Sequence, residues 1–88
     1  MMKDLYKKVL KGCFSRYILR TRDSLQLTQE QMSELLSLSD RSYIDLEHEK
    51  SVPSGLSFAL YLAYYCDDPN AFAVELREAF DKAAQKIS

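Results

Sequence analysis

Arg41, Asp45 and His48 recur at a spacing that brings all three to one side of a helix. A guanidinium can hold guanine through two parallel hydrogen bonds, and a carboxylate can accept from the amino group of cytosine. The trio therefore suits the reading of base edges better than the making or breaking of bonds. Catalysis has little to work with, because His48 is the only histidine and its neighbours Glu47 and Glu49 leave the helix in other directions. The sequence has no glycine-rich phosphate loop and no plausible metal cluster, so neither an enzyme nor a cofactor is expected.

The elements that must carry these residues are legible between Leu27 and Pro53. Thr28 is placed to cap the first turn of a short helix, with Gln31 placed to reach back to it, and Met32, Leu35 and Leu36 then share a face. Ser39 opens a second short helix that turns Tyr43 and Leu46 inward, while Leu38 plugs the turn between the two. The turn is too tight for the helices to lie antiparallel. The arrangement is a helix-turn-helix over about residues 28–47, and in such a motif the second helix can enter a major groove.

Leu27, Thr28, Gln29, Glu47 and Pro53 together resemble the pattern of the Xre and lambda-repressor-like helix-turn-helix domains, over roughly residues 14–66. Position by position, the resemblance implies base-reading roles for Asp40, Arg41, Ser42 and Asp45, and phosphate contacts for Gln29, His48 and Lys50. It also implies a structural pair between Arg22 of the first helix and Glu47, which removes both from the reading set. Plainer roles stand beside several of these. Arg41 can pair with Asp45 four residues on, Asp40 can compensate the helix N-terminus, and Gln29 can be an exposed helix start. Two positions depart from the family: Glu49 stands where glycine is usual after the glutamate, and Tyr43 where a small or aliphatic residue is usual. A side chain at position 49 opposes the left-handed conformation that often closes a helix.

Around the motif the chain reads as one all-α domain of five helices, residues 1–88, with an extended first helix and a long last one. Only two glycines and two prolines occur, and no run of β-branched residues alternates in the manner of a strand. The first helix is expected from about Asp4 to Ser24, with Gly12 as a possible interruption and residues 1–12 as a basic extension or a separate short helix. The fourth should run from the Ser54 cap to near Cys66, apolar almost all round. The fifth opens with Asp68 and Pro69 and carries Phe72, Leu76, Ala79, Phe80, Ala83 and Ile87 along one stripe over about residues 69–87. Cys13 and Cys66 lie far apart in apolar stretches and read as reduced, buried thiols, which together with the lack of a leader or a long apolar run gives a cytoplasmic expectation.

Charge is distributed unevenly. Residues 1–22 carry seven basic side chains against Asp4 alone, a net +6, whereas residues 23–50 carry seven acidic ones against Arg41 and Lys50, a net −5. DNA affinity comes largely from cations that meet phosphates, so the basic first helix would have to compensate for an acidic motif. Tyr61, Tyr64 and Tyr65 lack interleaved basic residues and read as core or subunit-contact residues rather than a stacking platform. The apolar fourth helix and amphipathic fifth favour a homodimer on a palindromic operator, although a monomer that folds the fifth helix back over its own core would use the same stripe. The expectation is a sequence-specific regulator of double-stranded DNA, a repressor by occupancy. Its rival is a protein-interaction module or antitoxin-like subunit whose acidic face binds a basic partner.

Overall fold

A computed structural model describes residues 2–86. It is all-helical: α1 Met2–Leu25, α2 Gln29–Leu35, α3 Asp40–Glu47, α4 Gly55–Leu60 and α5 Pro69–Gln85, and α4 continues directly into a π-helical turn, Tyr61–Tyr65. Each start after α1 follows from a local side chain. Thr28 accepts from the Gln31 N–H while the Gln31 side chain takes the Thr28 N–H, a complete capping box, and Ser39, Ser54 and Asp68 open α3, α4 and α5 with the single cap bond, accepting from the N–H groups of Ser42, Ser57 and Ala71. Ile87 of the expected α5 stripe lies outside the described residues.

Three successive helices end identically, and none of them uses glycine. Gln26, Ser37 and Glu49 adopt left-handed φ values of 55°, 59° and 60°. Each is followed by a paired closure, in which the next residue's N–H reaches back to the carbonyl five positions earlier: Leu27 to Arg22, Leu38 to Ser33 and Lys50 to Asp45. Glu49 thus occupies the position that favours glycine and accepts its steric cost.

Gly12 does not interrupt α1, which runs unbroken from Met2 to Leu25. The tolerance has a packing reason: a Cβ at Gly12 would lie 3.4 Å from Glu49 Oε1 and 3.6 Å from Arg16 Nη1, so the residue marks where the chain after α3 approaches α1. The extension expected at residues 1–12 is therefore, over residues 2–12, part of the same helix. α5 lies antiparallel along α1, with Tyr6 edge-on to Phe80 and Tyr17 stacked on Phe72 at 4.1 Å.

Phe14, Ile18, Met32, Leu36, Tyr43, Leu46, Tyr61 and Phe72 form the buried centre. Phe14 and Phe72 anchor it, Phe14 in contact with the rings of Phe58, Tyr61 and Phe72, and Phe72 also with those of Tyr17, Phe58 and Tyr61. The π turn, closed by Cys66 N–H to the Tyr61 carbonyl, holds Tyr61 inward. There its hydroxyl sits 2.7 Å from Thr21 Oγ1 and donates to the Tyr17 carbonyl, and burial pushes its pKa up to about 12. α4 is less buried than its apolar composition suggests, since Leu56 is 60% and Tyr64 73% exposed. Both cysteines are free, Cys13 buried and Cys66 only half-buried.

Candidate nucleic-acid interface

The carboxylate of Glu47 organises the motif. Its side chain is only 4% exposed; Oε2 accepts from Arg22 Nε at 2.6 Å and from the buried Tyr43 hydroxyl, and Oε1 accepts from Gln29 Nε2 at 2.9 Å and from Arg22 Nη2 at 3.4 Å. The Glu47 carbonyl also accepts from Ser15 Oγ at 2.7 Å. Burial by itself would raise the Glu47 pKa, but the donors Tyr43, Gln29 and Arg22 outweigh it and hold the carboxyl below its ordinary value. In turn the arginine's pKa is raised by its bond to Glu47, and the phenol's by burial and by the same carboxylate. One buried anion thus joins α1, α2 and α3 at fixed angles.

That junction decides what α3 presents. Tyr43, Leu46 and Glu47 are buried, which leaves Arg41, Asp45 and His48 on the outward arc, with Ser42 and Asp40 on its two flanks. The Arg41 side chain is 82% exposed, and its Nε lies 3.6 Å from Asp45 Oδ1. An exposed pair at that distance contributes little, so the guanidinium is free to exchange the carboxylate for another acceptor. Ser42 Oγ sits 3.0 Å from the capping hydroxyl of Ser39. Ser42 and Asp45 also line a groove of about 240 Å³ against the 51–54 segment. His48 caps the end of α3 and Lys50 follows it, both exposed.

Two expected contact residues have structural work as well. Gln29, half-buried, turns its amide nitrogen to Glu47 and so is not the merely exposed helix start. Asp40 accepts from the Ser33 hydroxyl at 2.7 Å, a proton that Ser33 shares with the Glu30 carbonyl, and so ties α3 back to α2. Glu30, Glu34 and Asp40 line a notch of about 390 Å³ on that flank, which makes it acidic.

Sequence reasoning missed two features. The Tyr43 hydroxyl belongs to the Glu47 network, and its i, i+4 spacing from Glu47 was the available signal. Ile44 is half-buried between the outward arc and the core, and an apolar residue in a short helix carries no sign in its sequence of standing at that boundary.

Among the described residues there is no group of histidine, cysteine or carboxylate side chains able to hold a metal, and no helix long and apolar enough to cross a membrane. Comparison with family models, curated proteins and solved structures finds no match to this chain.

Proposed function

We propose that the chain is a sequence-specific, double-stranded DNA-binding regulator of the Xre, lambda-repressor-like type, which represses by occupancy and reads the major groove with α3. The observation that carries this reading is the solvent-facing Arg41 on a short helix whose opposite side is pinned by the buried Glu47 network. A reading helix must present its side chains at a fixed angle, and that network supplies the rigidity. Arg41 would address guanine, while Asp40, Ser42 and Asp45 add discrimination and Gln29, His48 and Lys50 hold phosphates. Free cysteines fit a reducing compartment, the cytoplasm.

A homodimer is part of the proposal. Leu56, Ala59, Leu60, Ala63 and Tyr64 recur at i, i+3, i+4, i+7 and i+8 on α4 and its π turn, and all but the half-buried Leu60 are exposed. No charged residue occurs from 51 to 66, so a second copy can meet this face across a two-fold axis without self-repulsion. The stripe starts beside the 51–54 segment that flanks α3. Pairing there would bring two reading helices close to the axis, as an operator with half-sites ~34 Å apart requires.

The acidic notch of Glu30, Glu34 and Asp40 favours a second reading, a module that binds a basic protein partner in an antitoxin-like role. One titration separates the two: labelled random and upstream-region duplexes at several salt concentrations, with Arg41→Ala alongside. A DNA reader binds selected duplexes with salt-sensitive affinity and loses base preference in the variant. Absence of binding in dilute buffer, with capture of a defined basic partner through the notch, decides for the module.

A further inference from the structure

We propose that the first turns of α1 form a second DNA-binding element, a rigid lysine rail made of Lys7, Lys8 and Lys11 that grips phosphates beside the site read by α3. The proposal rests on the DNA reading above and adds where its phosphate affinity comes from.

The need is electrostatic. Within residues 23–50 only Arg41 and Lys50 are basic, Arg41 is shared with Asp45, and the α2 flank of the reading helix is acidic. Phosphate contact through the motif alone would be weak, since each neutralised phosphate is what releases counterions.

The geometry supplies the cations. Gly12 faces Glu49, Ser15 donates to the Glu47 carbonyl and Arg22 pairs with Glu47, so these three positions define the side of α1 that α3 occupies. Lys8 stands four residues before Gly12 and Lys11 four before Ser15, and Lys7 precedes Lys11 by the same step. On a continuous helix Lys8 and Lys11 carry that side past the end of α3, with Lys7 at its edge. Lys7 and Lys8 are exposed and Lys11 half-buried, and none of the three forms an ion pair among the described residues. Lys7 to Lys11 spans ~6 Å at 1.5 Å per residue, close to the axial rise of two nucleotides.

The rail is also braced. Tyr6 packs edge-on against Phe80 with ring centres 5.3 Å apart, and Val9 and Leu10 rest on the core, so α5 supports the opposite side of these turns. A helix held in this way presents its lysines without the ordering cost of a loose arm. Asp4, in the first turn, offsets the helix dipole and leaves the three lysines in excess.

The test is a salt titration of duplex binding by the full chain, comparing wild type with the triple variant Lys7→Gln, Lys8→Gln, Lys11→Gln. The slope of log affinity against log salt should fall by ~0.9 for each lysine engaged, about 2 to 3 in all, with equal loss on selected and scrambled duplexes. Replacement of the same three by arginine should keep the slope, and Arg77→Gln on the outer side of α5 should not change it. A wild type that binds while the glutamine triple shows an unaltered slope overturns the rail and leaves the α3 reading intact. A wild type that binds no duplex at any salt overturns both.

Discussion

Replacement of Arg22 by alanine is the sharpest probe of the junction that sets the angle of α3. The variant leaves Glu47 with a side chain only 4% exposed and without its cationic partner. Removal of one side of a buried pair costs ~3–5 kcal/mol. Because the Arg22 side chain is itself 27% exposed, and Gln29 and Tyr43 still donate, the lower end, ~3 kcal/mol, applies. An 88-residue domain has ~4–13 kcal/mol of total stability, so the variant should fold but with a much lower urea midpoint. Acid reveals the mechanism. The folded pKa of Glu47 is depressed, so the network stabilises fully above the ordinary carboxylate value of 4.5 and that stabilisation is lost as pH falls through the folded value. Without Arg22, burial weighs more and the folded pKa rises, so the stranded carboxylate takes up a proton earlier. The deficit of Arg22→Ala relative to wild type should therefore shrink between pH 7 and pH 3 in urea titrations followed by circular dichroism. A deficit below ~1 kcal/mol at pH 7, or one that stays constant down to pH 3, would refute the assignment of Glu47 as a buried charged hub.

Three further outcomes follow from other parts of the structure. Glu49→Gly should stabilise by up to ~1 kcal/mol by relieving the left-handed conformation, a rise of ~4–8 °C in thermal midpoint; an unchanged midpoint would mean that the Glu49 side chain's contact near Gly12 offsets the strain. Gly12→Ala should also stabilise, by ~0.5–1 kcal/mol, since the added methyl meets Glu49 and Arg16 at contact distance and the helix gains propensity; a fall in midpoint would show that the approach is tighter than 3.4 Å implies. On the proposed α4 pairing, sedimentation equilibrium should give a dimer mass for wild type and a monomer mass for the pair Leu56→Asp, Tyr64→Ser with helix content kept, because both side chains are largely exposed in the single chain; a monomeric wild type, or a dimer mass retained by the variant, would remove α4 as a dimer face.

The helical elements and their starts were legible in the chain alone, because a cap is a contact between residues three apart. Thr28, Ser39, Ser54 and Asp68 needed nothing beyond their own turn, and the inward faces of α2 and α3 followed from spacing. The Arg22–Glu47 pair was reachable only through the likeness to a known family, since no spacing rule links positions so far apart. Tertiary structure decided everything that depends on which surfaces meet. Gly12 resembles a helix break until the chain near Glu49 is seen to approach it, and Glu49 takes a left-handed cap because the closures onto Leu46 and Asp45 hold it there. Gln29 and Asp40 read as outward polar residues until Glu47 and Ser33 claim them. An α4 apolar almost all round suits either a central position or a second surface to be covered, and only the packing chooses between them: Leu56 and Tyr64 face solvent in the single chain, and burial is a property of neighbours that a hydropathy pattern does not contain.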